Sequence, residues 1–172
     1  RARPSSGAEP LHPGAAVGAM IRLALLCSLV LVTGCSSPRP TPRPDLNGLL
    51  RQSVNSRRDP SLGGRWLASL GQRNGRERVE LIDLRSRSPV PLPGLNRADA
   101  QPISVSVSAD GQRLAVIQQR EDRTELVLYR RNVGATQRLP LDPPGVPRSV
   151  SLDGSGRRLA VQVSRNGRWD VD

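Results

Sequence analysis

The apolar positions of this chain fall into three patterns along its length. Leu23 to Val32 is one short apolar block, opened by Met20-Ile21-Arg22 and closed by Val32-Thr33-Gly34-Cys35. A basic start, about 7–15 apolar residues and a small-residue exit are the anatomy of a secretory signal. A membrane-spanning helix needs about 20 apolar residues, so the block is too short for one. Further on, Leu46, Leu49, Leu50 and Val54 recur at helical spacing behind Asp45, an N-cap residue type. That spacing predicts a short helix over 45–55, weakened by Gly48 and placed to plug one end of the domain that follows. From Leu62 onward the pattern is that of strands. Val105 and Val107 alternate with serines, as in a half-buried strand. Leu114-Ala115-Val116-Ile117 is a continuous run, as in a strand covered on both faces.

These strands repeat. Gly63-Gly64-Arg65-Trp66-Leu67-Ala68 corresponds to Asp110-Gly111-Gln112-Arg113-Leu114-Ala115 and to Ser155-Gly156-Arg157-Arg158-Leu159-Ala160. Leu67 and Leu114 are 47 positions apart, and Leu114 and Leu159 are 45 apart. Eight residues after each leucine comes a polar turn, marked by Gly75, Asp122 and Gly167. Asn-Gly is favoured in two-residue hairpins because both positions need positive φ. Leu92-Pro93 matches Leu139-Pro140, and 102–107 matches 147–152, so the change of period falls in the loop at 94–101 versus 141–146. A loop is where an insertion costs least. Short strands with turns every 8–12 residues or so predict an all-β fold. A period near 45 predicts propeller blades of four strands each.

The second unit reads Ser108-Ala109-Asp110-Gly111-Gln112-Arg113-Leu114-Ala115-Val116, a polar hairpin, then Glu125-Leu126-Val127-Leu128-Tyr129. It resembles the repeat of TolB-type (WD40-like) β-propellers, periplasmic proteins of the Tol–Pal envelope system, whose repeat reads S-P-D-G-x-x-L-A-F. Ala109 stands where the family has proline, and Gly63 replaces the aspartate in the first unit. The third unit reads Asp153-Gly154-Ser155-Gly156, and no unit has the aromatic after Leu-Ala. The resemblance implies a TolB-like blade domain over 61–172. Three strands can be placed in the first unit, four in the second and three in the third, about two and a half blades, and residues 55–60 read as too polar and proline-bounded for a strand. Propellers need about 4–8 blades to close. The prediction is therefore an open or partial propeller with unpaired edges. Three outcomes remain open: self-association, an open stack or sandwich, or a sequence that is part of a larger protein.

Val32-Thr33-Gly34-Cys35 resembles the lipobox of bacterial lipoproteins, with Val32 where the family prefers leucine. The resemblance implies cleavage between Gly34 and Cys35 and acylation of the Cys35 thiol. It further implies a mature chain held to a membrane by lipid on Cys35 and facing the periplasm. Ser36, rather than aspartate, favours the outer membrane by the lipoprotein sorting rule. A signal works from its own N-terminus, so Met20 reads as the start of the signal (20–34) and residues 1–19 as an upstream extension outside fold reasoning. Alternating prolines make 35–44 an extended linker, ahead of a short helix or leader over 45–60.

Composition narrows the chemistry. Cys27 and the only histidine, His12, precede Cys35. The mature chain thus has one cysteine, no disulfide, and neither the commonest general base nor the commonest metal ligand. All 26 basic residues are arginine; residues 1–34 hold three of them and one glutamate, which leaves 23 arginines against 14 acids, net +9. No more than two arginines are adjacent, and the only aromatics are Trp66, Trp169 and Tyr129. A nucleic-acid site would show a basic cluster with stacking aromatics, so none is expected. General attraction to anionic surfaces fits the charge. Asp110, Glu121, Asp122 and Asp153 fall at turns, where Asp bonds nearby backbone. Asp153-Gly154-Ser155-Gly156 lacks the several acids of a calcium loop.

The resulting expectation is a cell-envelope lipoprotein that is not an enzyme and uses no cofactor or metal. Its blades would bind an envelope protein or an anionic polymer. The alternatives are an accessory propeller of an envelope enzyme system contacting polysaccharide, and a truncated structural propeller.

Overall fold

Residues 41–53 and 56–172 are described by the computed structural model. The expected extension, the signal, Gly34, Cys35 and the linker up to Pro40 lie outside the described residues. One compact unit runs from Arg43 to Asp172 and holds every element below.

Helix α1 (Pro44–Ser53) begins on proline, whose fixed φ and missing N–H suit the first helical position. The Arg43 carbonyl accepts the amides of Leu46 and Asn47 at 3.1 and 3.2 Å. Asp45 is therefore inside the helix rather than its N-cap, and its carboxylate pairs with Arg87 at 2.7 Å. Arg57 Nε donates to the Leu50 carbonyl at 3.3 Å, so the helix attaches to the first sheet.

The strands form three antiparallel sheets, each in sequence order. The first blade contains β1 (Arg57–Gly63), β2 (Trp66–Arg73), β3 (Arg76–Asp83) and β4 (Ser88–Val90). The second contains β5 (Gln101–Val107), β6 (Arg113–Arg120), β7 (Arg123–Arg130) and β8 (Ala135–Leu139). The third contains β9 (Val146–Leu152), β10 (Leu159–Arg165) and β11 (Arg168–Val171). The all-β, four-stranded-blade expectation holds, and so does the period.

One strand expectation is corrected. The polar stretch expected to form no strand is the start of β1, so the first blade has four strands. Its register shifts between Arg58 and Ser61, and Asp59 sits at a φ of 52°. β5 and β9 carry irregularities at corresponding places, so the bulge belongs to the repeat. β1 tolerates polar side chains because they bond to the next blade, as described below.

Two apolar layers hold the blades together. Trp66, Ala68, Leu70, Val79 and Leu81 of the first blade pack on Val105, Val107, Leu114, Val116, Val127 and Tyr129 of the second. Ala115, Ile117 and Leu126, on the opposite face of the second blade, pack on Val150, Leu152, Val161 and Val163 of the third. Leu114 to Ile117 are each 0% exposed, as the continuous apolar run requires of a strand covered on both sides. Burying its leucine, valine or isoleucine side chain contributes about 1.5–3 kcal/mol each.

The inner strand β5 departs from the half-buried expectation. Ser104 and Ser106 are 3% and 6% exposed, about as buried as Val105 and Val107. Its valines pack toward the first blade, and its serines bond the third, Ser106 reaching Ser61 of the first as well.

Candidate functional site

Of the four turn acids, Asp110 and Asp153 bond nearby backbone as expected. Asp110 accepts from the Ser108 hydroxyl and from the Gln112 amide at 2.9 Å, and these bonds hold its carboxyl below the usual range. Asp153 accepts from the Ser155 hydroxyl and from the amides of Arg157 and Arg158, with the same consequence. Glu121 and Asp122 occupy the hairpin tip at φ of 49° and 63°. Among the described residues no group of His, Cys, Asp and Glu is placed to hold a metal ion. No helix among them is long and apolar enough to cross a membrane.

A cleft of about 600 Å³ opens between the β2–β3 and β6–β7 hairpins and the 98–101 loop. Its charges are matched internally. Asp99 bonds Arg97 at 2.9 Å and Arg120 at 2.8 Å, and the Arg97 guanidinium, with help from Arg120, lowers its pKa to about 2. Arg76 donates to the backbone carbonyls of Arg97 and Ala98. A carboxylate so stabilised as an anion is a poor proton acceptor near neutrality.

The two tryptophans have different environments. Trp66 is buried, with the guanidinium groups of Arg65 and Arg131 4.6 and 4.4 Å from its ring centre, and is a packing residue. Trp169, on the last strand, is 54% exposed beside Arg148 at 5.9 Å.

The faces between blades carry the arrangement that sequence reasoning missed. Asp59 Oδ2 accepts the Val105 amide at 2.6 Å, and Ser61 Oγ accepts the Val107 amide at 3.1 Å. One blade further on, Ser104 Oγ accepts the Val150 amide at 3.3 Å, and Ser106 Oγ accepts the Leu152 amide at 2.8 Å. All four bonds join residues 46 positions apart. Each inner strand thus offers two side-chain oxygens, two residues apart, to two amides of the following inner strand. A buried amide left without such a partner costs about 1–3 kcal/mol. The sequence signal was present: 59 and 61, 104 and 106, and 149 and 151 share one register, and all are Ser or Asp.

The two ends of the stack differ. On the outer face of the first blade, Ser69 and Glu80 stand where the second blade has Val116 and Val127. Arg57 reaches over both, 3.1 Å from Ser69 Oγ and 2.7 Å from the Glu80 carboxylate, and also bonds α1. Arg57 thus caps the polar positions of that end, while Leu62, in register with Val107 and Leu152, is left 69% exposed beside them. At the other end Ala160, Gln162 and Val171 replace the buried Ala115, Ile117 and Leu126. They are exposed, Val171 at 74%, and so are Ser149 and Ser151. The third blade presents an uncovered face.

No protein-family model and no curated protein sequence matches the chain. Among solved structures it is similar to TolB from Acinetobacter baumannii, with a TM-score of 0.52 and 19% identity over 69% of this chain. The match covers 29% of the TolB chain, so this sequence spans under a third of its neighbour. Likeness at that identity concerns the fold, and the fold is a TolB-like β-propeller, open and partial over the described residues.

Proposed function

We propose that this chain is a non-catalytic lipoprotein of the bacterial cell envelope, anchored through acyl chains on Cys35, whose blades are a scaffold for another envelope protein. The uncovered face of the third blade carries the binding half of this reading. It exposes Trp169 and Val171 in a fold whose other inter-blade faces are each covered. A partly apolar face with an aromatic anchor is the usual character of a protein-binding surface.

The anchor rests on Val32-Thr33-Gly34-Cys35, and on Ser36 for the outer membrane. Each buried methylene contributes about 0.8 kcal/mol, and two or more acyl chains give stable attachment. Expression from Met20 should yield a membrane-bound product whose intact mass equals residues 35–172 plus acyl groups. Cys35→Ser should be released as a folded, unacylated protein. Retention of that variant on membranes washed in high salt would overturn the anchor.

Binding of an anionic polymer is a second reading, supported by the hairpin tips. Arg73 faces Arg76, Arg120 faces Arg123, and Arg165 faces Arg168 across their strands. Arg120, Arg123 and Arg165 already pair with Asp99, Glu121 and Asp172, so Arg73 and Arg168 are the charges that a polyanion lying across the tips would meet, relieving like-charge repulsion there. Co-sedimentation with dextran sulfate that disappears by roughly 0.2 M salt, and is weakened by Arg73→Gln with Arg168→Gln, is the expected result.

A further inference from the structure

The uncovered face has a definable occupant. Two neighbouring interfaces obey one rule: paired acceptors on an inner strand receive the amides of an apolar-x-apolar segment of the next inner strand. Asp59 and Ser61 receive Val105 and Val107, and Ser104 and Ser106 receive Val150 and Leu152. Ser149 and Ser151 stand in the same register on β9, exposed, and engage no amide among the described residues.

We infer that Ser149 and Ser151 are a docking site for the inner strand of one more blade of this same repeat type. The occupant is an extended segment that offers two backbone N–H groups two residues apart, each on an apolar residue. Those apolar side chains would cover Ala160, Gln162 and Val171, as Val150 and Leu152 cover Ala115, Ile117 and Leu126. The assignment follows from continuity with the two established interfaces. It rests on the reading of this face as a docking surface and specifies the chemistry of what docks.

A second copy of the chain does not meet the requirement. Its free inner strand is β1, where Pro60 occupies the position of Val105 and Val150 and has no N–H to give. On the face behind β1 the apolar positions of Val116 and Val127 are taken by Ser69 and Glu80 under Arg57, which leaves Leu62 as its exposed apolar residue. One end of the stack lacks one of the two amides of the pair, and the other presents both acceptors.

The test supplies the blade within one polypeptide, so it does not depend on Cys35, on membranes or on an unidentified partner. Residues 128–172 are duplicated directly after Asp172, which keeps the 45-residue register. The second-copy amides of Val150 and Leu152 should then exchange at least tenfold more slowly than in an unstructured peptide of the same sequence. Ser149→Ala with Ser151→Ala in the first copy should remove most of that protection. In the unextended chain the same pair should leave the urea midpoint unchanged. A second extension, residues 81–127 appended after Asp172, offers Val105 and Val107 instead, so failure of one added sequence to fold does not decide the matter. Absence of protection in both extensions, or protection indifferent to the two serines, would overturn the inference. So would concentration-dependent dimerisation of the unextended chain through this face, which would assign it to a second copy.

Discussion

The Ser106 hydroxyl lies 2.8 Å from the Leu152 amide nitrogen and accepts its hydrogen across the boundary between two blades. The same oxygen is 3.3 Å from Ser61 Oγ, so one side chain touches the inner strands on both sides of its own. Sheets stacked face to face normally meet through apolar side chains alone. Here the inner edge of each interface is polar, and the apolar layers start further out. Ser106→Ala strands the Leu152 amide in a buried site and should cost about 1–3 kcal/mol. A lower urea midpoint with an unchanged m-value is the expected reading. Ser106→Val should cost at least as much, since added apolar volume does not supply the missing acceptor.

Leu114 lies at the centre of the first apolar layer, 0% exposed, paired with Val107 on one side and Tyr129 on the other. Leu114→Ala should cost on the order of 2–5 kcal/mol, the range for buried leucine truncations. A thermal melt indistinguishable from that of the unsubstituted protein would place the blade register elsewhere.

The second blade was legible in the sequence because its residues obey local rules. Leu114 to Ile117 announce a strand buried on both faces, and Asp110-Gly111 announces the turn before it. α1 was legible from the spacing of its leucines, although its start belongs to Pro44 rather than Asp45. β1 was not legible, because its reason for being a strand lies 46 residues away. Asp59, Pro60 and Ser61 look like a breaker until Val105 and Val107 are seen donating to Asp59 and Ser61. The alternation of valine and serine in β5 implied one wet face for the same reason. Polar side chains that bond across a blade boundary carry no sign in their own segment that they are buried. The register of Asp59, Ser104 and Ser149 was the available signal, and it appears only when the repeats are aligned on their polar positions.

The three β-hairpins between second and third strands solve the same steric problem with different residues. Asn74-Gly75 and Asn166-Gly167 have positive φ at both positions, 53° and 75°, then 50° and 76°. Glu121-Asp122 does the same at 49° and 63° without a glycine. A residue with a Cβ in this region costs about 1–2 kcal/mol. The exposed pairing of Glu121 with Arg123 at 3.3 Å returns little. Asp122→Gly should raise the thermal midpoint by about 3 °C. Gly75→Val should lower it, from backbone strain alone, because the new Cβ meets nothing within 4 Å.

Acid should weaken the fold in a defined window. The carboxyls of Glu77, Asp99, Asp110, Asp153 and Asp172 are all held below their ordinary values, Asp99 at about 2. A group with a lowered folded-state pKa stabilises the fold fully above its unfolded value, near 4. That contribution disappears as pH falls through the folded-state value. Thermal midpoints should therefore be flat from neutrality to about pH 5 and decline steadily toward pH 2. Asp99→Asn should make the decline shallower, and a parallel curve for that variant would remove Asp99 from the account.

Arg57 separates a consequential ion pair from ornamental ones. Its side chain is 15% exposed and that of Glu80 17%, and the same guanidinium bonds Ser69. Arg97 and Asp99, by contrast, are 54% and 39% exposed. Exposed pairs contribute about 0–1 kcal/mol, whereas removing one partner of a buried pair costs about 3–5 kcal/mol. Arg57→Gln, at a site between these limits, should cost about 2 kcal/mol, and Arg97→Gln should change stability far less. The loss at Arg57 should also reach α1, which receives the Arg57 Nε hydrogen bond at the Leu50 carbonyl. Amide exchange in α1 should accelerate in Arg57→Gln and remain unchanged in Arg97→Gln. If Glu80→Gln with Ser69→Ala restored stability to Arg57→Gln, the cost would lie in the stranded partners rather than in lost attraction, and the polar cap would be a device for closing this end of the stack more than a source of stability. Equal and small effects of Arg57→Gln and Arg97→Gln would remove the cap from the account.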